Sequence, residues 1–290
     1  MRNVFVKIFS LLLYIFSILA LGVKNPTFPN PYKTVDMSKF EMTFEEEFDG
    51  ELDRSLWVGH YTYGKTSSVR RGSYWNNYMA YTENGNLVIP LKYLDEGMGG
   101  TGAGWYTAGL DTSSRETGFR QKFGYFEVRC ILPKGADIWS AFWMMNEDVV
   151  NVDGSGQDGT EVDVMESPYY GRIPFNNVVY CNLHYDGYGE AHKAKQVSRT
   201  YVKGNPYEEF NTYGLEWNEK EYIFYINGRE TARSSFGGVS RKDEYMLLSV
   251  EVDGVKGKPA GGWSGIITKN KENAMPSDFV IDYVRAYQYK

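Results

Sequence analysis

From Phe44 onward the chain reads as short runs in which apolar and polar residues alternate, separated by Gly, Asn and Asp. GNLVIPLKY, FGYFEVRCILP, EVDVM, NVVYCNLHY, YGLEWNEKEYIFYING, YMLLSVEVDG and FVIDYVRAYQY each have this form. A period of two places successive side chains on opposite faces, so the pattern predicts half-buried strands rather than helices. No stretch holds a 3.6-residue period for three turns, and no internal repeat is visible. Many strands punctuated by turns predict an all-β antiparallel sandwich. Asn227-Gly228 is a favourable tight-turn pair and predicts a hairpin. The stretch NPTFPNPYK carries three prolines, which makes residues 23–33 an irregular lead-in to a single domain spanning 34–290.

The first 22 residues break the alternation. Arg2 and Lys7 form a basic start, residues 8–20 an apolar run, and Ala20-Leu21-Gly22 a small-residue cleavage site, the pattern of an export signal. An uncleaved anchor is the alternative, although the run is short for the roughly 20 residues a spanning helix needs. Nothing later in the sequence predicts a membrane segment. The expected location is therefore secreted, periplasmic or cell-surface.

Composition narrows the partner. Aromatics make up 16% of the chain, with 24 Tyr and 31 Gly. Ring-lined β surfaces suit the apolar faces of sugars, although most such rings in a β protein are ordinary core. A formal charge of −6 with no basic block argues against nucleic acid. Cys130 and Cys181 lie in strand-like runs without zinc-site spacing, and either one disulfide or two buried thiols is compatible with export.

The candidate chemistry sits in EVDVMES, residues 161–167. On a regular strand Glu161 and Asp163 share a face and Glu166 falls on the other. One bulge near Val164 or Met165 would return Glu166 to the common face. Three acids on one face repel one another, so the cluster implies a shared proton, a cation or a function. Two such carboxyls serve a retaining glycosidase as nucleophile and acid/base. A solvated edge or a calcium cage is the plainer alternative; calcium would favour a Gly- and Asn-rich loop such as DGSGQDG, residues 153–159.

EVDVME, with the upstream FGYFEVRCILPKGADIWSAFWMMNED, the opening EEEFDGELDRSLW and the later YGLEWNEKEYIFYINGRE and MPSDFVIDYVRAYQ, resembles glycoside hydrolase family 16 over nearly all of the mature chain. The resemblance implies a β-jelly-roll of concanavalin A-like form with a concave substrate groove. It implies Glu161 as nucleophile, Asp163 as its supporting acid and Glu166 as acid/base. His184 falls where laminarinase-like members carry a histidine near the acids. Trp139, Trp143, Asn76, Asn77 and Trp263 resemble substrate-contacting positions. Glu47, the Gly85 carbonyl and Asp282 stand at the places of a structural calcium site away from the chemistry, which itself needs no cofactor. The implied activity is endo-hydrolysis of β-1,3- or mixed-linkage β-1,3-1,4-glucan by a monomer. A galactan-cutting enzyme of the same family, or a non-catalytic carbohydrate-binding protein, is the alternative. LSVEVDGVKG with Ser249 and Glu251, AGLDTSSRETGF, and the Arg70-Arg71-Gly72 triplet depart from the common laminarinase pattern, in segments able to shape the groove.

Overall fold

The computed structural model describes residues 26–135, 138–265, 267 and 278–290. The expected export signal of residues 1–22 lies outside them. Among the described residues no helix is long and apolar enough to cross a membrane.

Two eight-stranded antiparallel sheets face each other. The first contains β1 (Phe40–Glu46), β5 (Tyr81–Glu83), β6 (Asn86–Ile89), β11 (Gly124–Ile131), β16 (Asn211–Trp217), β17 (Tyr222–Ile226), β18 (Arg229–Ser234) and β22 (Phe279–Tyr289). Its order is β18-β17-β16-β11-β22-β6-β5, with β1 also on β22. The second contains β2 (Val58–Gly59), β9 (Gly109–Asp111), β10 (Arg120–Gln121), β12 (Ile138–Met145), β13 (Glu161–Ser167), β14 (Val178–Tyr185), β15 (Lys193–Tyr201) and β19 (Glu244–Val252). Its order is β15-β14-β13-β12-β19-β9-β2, with β10 on β19. A four-stranded sheet of β3 (Ser67–Arg70), β4 (Ser73–Asn76), β7 (Lys92–Leu94) and β8 (Gly104–Thr107) completes the domain, with a ribbon of β20 (Gly254–Val255) and β21 (Lys258–Pro259).

Alternation decides what each sheet buries. Phe126, Val128 and Cys130 of β11 meet Phe142 and Met144 of β12 and Val162, Val164 and Met165 of β13 in one core between the sheets. Burial of this apolar surface at ~25 cal/mol per Å² is the main favourable term for the fold. Every residue of β19 is buried: Met246, Leu248, Val250 and Val252 face the core, while Tyr245 and Leu247 pack on the outer face against Trp143 and Ala141. The expected hairpin is present, with Asn227 at φ 50° and Gly228 at φ 69° joining β17 to β18. These positive angles match the right-handed twist of the flanking strands.

The described part of the lead-in, residues 26–33, is pinned to the domain. Thr27 bridges Thr200, Asn30 N–H donates to the Glu230 carbonyl at 2.7 Å, and Phe28 stacks on Tyr201. Cys130 and Cys181 are free, buried thiols on different sheets. Burial pushes both thiols up, Cys181 to about 12, which leaves them unreactive as nucleophiles.

Glu244 is a charge-capable group that the fold buries completely, and neither of its carboxyl oxygens has a well-formed hydrogen bond. Burial raises its pKa to about 8, against weaker lowering by Ser240 and the Thr160 backbone. The folded state therefore holds a proton that the unfolded chain releases near its ordinary value of 4.5. Stability from this group is fully present below that value and is lost as pH rises through about 8. Glu244→Gln is expected to flatten the pH dependence and to stabilise the protein at pH 9 by a few kcal/mol, on the order of what burying an unpaired charge costs. Urea unfolding of both proteins at acidic and alkaline pH reads this out; parallel pH profiles would refute it.

Candidate active site

The outer face of the second sheet forms a groove of about 560 Å³. Its floor is β13. The pairing of β12 with β13 runs Ala141↔Glu166 and Phe142↔Met165, then Trp143↔Asp163, so Val164 has no partner. That residue is the bulge, at one of the two positions expected. Val164 and Met165 both enter the core, and Glu161, Asp163 and Glu166 all line the groove.

Neighbouring strands supply partners. Glu161 lies directly across from His184, and Asp163 across from Asn182. His184 Nε2 is 3.2 Å from Asp163 Oδ2, and its Nδ1 is 2.9 Å from His192 Nε2, with the two imidazoles stacked. The Asn182 amide donates to Glu166, and the Tyr188 hydroxyl donates to Glu161.

These contacts separate the two glutamates electrostatically. Burial and then the Asp163 charge raise Glu161 to about 7, against His184, the Tyr188 hydrogen bond and Arg70. Glu166 is raised well above the ordinary range by burial and then Asp163, with Glu161 and Glu251 adding to the effect and Asn182 alone opposing it. His184 is lifted to about 9: burial works to lower it, but the hydrogen bond to Asp163 and the charges of Asp163 and Glu161 outweigh that. At neutral pH the cluster therefore holds an imidazolium beside Asp163 and a proton on Glu166.

Trp139 and Trp143 both line the groove, spaced along one face of β12. Trp143 is the deeper, 5% exposed, with its Nε1 donating to Ser249 Oγ at 3.1 Å. Trp139 meets Trp263 edge-on at 4.9 Å, and Trp263 lines the groove as well. Asn76 and Asn77 correct the expectation of a groove-facing amide pair. Asn76 is fully buried; its amide donates to Ser67 Oγ and its Oδ1 accepts from Tyr78 N–H, capping a short 3-10 turn. Asn77 packs against Gly59, and neither residue lines the groove.

The three expected calcium ligands stand apart from this site. Glu47 accepts from Arg285 Nε at 2.7 Å, Asp282 pairs with Arg129, and Gly85 occupies the β5–β6 turn beside Asp49. Each of the two carboxylates is thus paired with a guanidinium, and Arg285 also lies 3.8 Å from Glu45.

Several groove residues were not singled out from sequence. Tyr188 and His192 lie on the loop after β14, and Asn182 and Tyr61 carry no motif. Arg70, Arg71, Ser249 and Glu251, noticed only as departures from a pattern, meet on one wall: Arg70 Nε donates to Glu251 at 2.9 Å, Arg71 Nε is 2.7 Å from it, and Arg71 lies over the Trp139 ring.

Comparison with known proteins places this geometry. The family model described as "Beta-porphyranase A-D, GH16 domain" matches residues 40–289. The chain belongs to glycoside hydrolase family 16. Within that family it is 27% identical over 274 residues to the endo-1,3-1,4-beta-glycanase ExsH of Rhizobium meliloti, covering 88% of this chain and 53% of that protein. The beta-porphyranase B of Zobellia galactanivorans is 25% identical over 217 residues, covering 71% of this chain and 70% of that protein. The chain spans about half the length of the first curated relatives it matches. Among solved structures, a family 16 non-specific endo-beta-1,3(4)-glucanase superposes with a TM-score of 0.67 at 23% identity, covering 93% of this chain and 98% of that one. The fold is thus the family's jelly-roll sandwich.

Tyr188 is half exposed, so removing its hydroxyl should leave the fold intact. A donor to the charged form lowers a carboxyl pKa, so Tyr188→Phe is expected to raise that of Glu161 by about one unit. A carboxyl-carbon NMR titration measures it. An unmoved titration would show that the hydrogen bond contributes nothing to the ionisation.

Proposed function

We propose that this protein is an endo-acting, retaining β-glycanase that cuts internal bonds of a polysaccharide laid along the groove, with residues 1–22 as its export signal. The observation that carries the reading is the asymmetry of the two glutamates on one face of β13. Glu161 faces a hydroxyl donor and nearby cationic groups, whereas Glu166 faces an amide and further negative charge. The first environment favours a carboxylate nucleophile and the second a carboxylic acid.

In the first step Glu161 attacks the anomeric carbon, the glycosidic bond breaks, and the Glu166 proton passes to the departing oxygen. In the second, Glu166 takes a proton from water, whose oxygen attacks the anomeric carbon and releases Glu161. Two inversions retain the anomeric configuration. Asp163 and His184 hold Glu161 in a fixed electrostatic frame, and Trp139 and Trp263 supply ring faces for sugar units.

The relatives named as endo-1,3-1,4-beta-glycanases support a β-1,3- or mixed-linkage glucan as substrate. A β-galactan of the porphyran type is a second reading, favoured by the matching family model and by the two guanidiniums of Arg70 and Arg71 at the groove wall.

Reducing-end release from laminarin, mixed-linkage glucan, agarose and porphyran tests both. Oligosaccharides from one polymer are expected, with activity falling roughly a thousandfold or more in Glu161→Gln and in Glu166→Gln. Undiminished hydrolysis in either variant would sink the assignment.

The pH dependence has a definite sign. Glu161 must be ionised and Glu166 protonated, so kcat/KM is expected to rise as pH climbs through about 7 and to fall at higher pH as Glu166 loses its proton. A profile flat from pH 5 to 8 would contradict this.

A further inference from the structure

A second cavity, of about 600 Å³, adjoins the groove and shares Tyr61 and Arg70 with it. Its walls come from the loop between β2 and β3, from β3 itself and from Gly99–Thr101. None of the catalytic cluster reaches it.

Rings lead from the groove into this cavity. Trp75 is buried at the base; Tyr61 lies parallel to it at 6.0 Å, and Tyr63 stacks on Tyr61 at 6.2 Å. Arg70 spreads its guanidinium 5.1 Å from both Tyr61 and Trp75, which fixes the first step of this series. Tyr63 is 84% exposed, so one large ring face is open to solvent.

The backbone holds these rings against local preference. Tyr61 has φ 55° and Tyr63 φ 51°, the left-handed region that bulky side chains avoid. Two strained tyrosines in one short loop, one of them packing almost nothing, contribute little to folding. Strain of this kind persists where surrounding structure imposes it, and it concentrates at ligand sites. Here the loop is imposed by Thr62 Oγ1 donating to the Gly59 carbonyl at 2.8 Å and Lys65 N–H donating to the Thr62 carbonyl at 2.9 Å.

We infer that this cavity is a distal sugar-binding subsite, in which Tyr63 stacks on a pyranose unit of the same polysaccharide chain after it leaves the groove past Tyr61. The inference rests on the glycanase reading above and extends it from the reacting bond to the substrate's length. A tyrosine offers an apolar face and few rotamers to immobilise, the properties that make it an efficient contact residue. Because the cavity lies outside the catalytic cluster, binding there strengthens the ground state and the transition state alike. It should therefore lower KM without changing kcat.

The test uses two ladders of end-labelled oligosaccharides, one from β-1,3-glucan and one from porphyran, cut by the wild type, Tyr63→Ala and Tyr63→Phe. For the series that the wild type cuts, Tyr63→Ala is expected to raise KM roughly tenfold for long members only, with kcat unchanged. Tyr63→Phe, which keeps the ring, should restore wild-type values. A KM unchanged at every length overturns the subsite, and so does a KM raised equally at all lengths, which would mark Tyr63 as merely structural. If the wild type cuts neither series, the proposed function fails and the subsite falls with it.

Discussion

The site depends on one unpaired residue. Val164 inserts an extra position into β13, so two consecutive apolar side chains, Val164 and Met165, enter the core and every later residue changes face. In a regular strand Glu166 would point between the sheets, among Phe142, Met144 and Met246. An unpaired carboxylate there would cost several kcal/mol, on the order of the penalty for any buried ion. The bulge exchanges that penalty for the smaller one of a broken ladder rung. It is also held from both sides, because β12 and β14 each show a register shift at the same point.

Once three acids share a face, their repulsion has to be managed. Part of the answer is protonation, since Glu166 and Glu161 are both pushed upward. The rest is a cation, the His184 imidazolium, set by strand pairing opposite Glu161 and bonded to Asp163. His184 in turn meets His192, whose pKa burial and the neighbouring His184 charge depress, so that His192 Nε2 is available to accept. The catalytic strand, its two neighbours and the loop after β14 thus form one electrostatic unit, in which removing any member shifts the others.

What could be read from sequence follows from how local the information is. Strand alternation, the Asn227-Gly228 turn and the bulge are properties of a few adjacent residues, and all three are present. His184 was legible through resemblance, and its bond to Asp163 follows from pairing. Asn76 and Asn77 were placed by resemblance alone, and the structure uses Asn76 as the cap of a short turn, a role for which asparagine is among the preferred residues. Tyr188 left no signal, since its bond to Glu161 spans 27 residues and depends on a loop path that no periodicity encodes. Glu244 was silent for a similar reason, because an acid at the start of a strand reads as an exposed edge until the packing above it is known.

The carboxylate cluster and the charged wall of the groove are built from different parts of the molecule. The three acids are fixed by β13 in the middle of a sheet, where pairing on both sides allows little movement. The wall beside them is built instead from the β3–β4 hairpin and the outer face of β19. Arg70 and Arg71 reach Glu251, and Gly72 packs so tightly on the Asp253 backbone that any side chain there would collide. Glu251 lies opposite Trp139 in the ladder, so the same contact that anchors the hairpin also sets the Trp139 ring in the groove. A change at Glu251 would free two guanidiniums and release Trp139 while leaving the carboxylate cluster in place. The Arg70–Arg71–Glu251 wall and the β13 carboxylates are therefore built by separate contacts, coupled through the Glu251 charge that adds to the upward shift of Glu166.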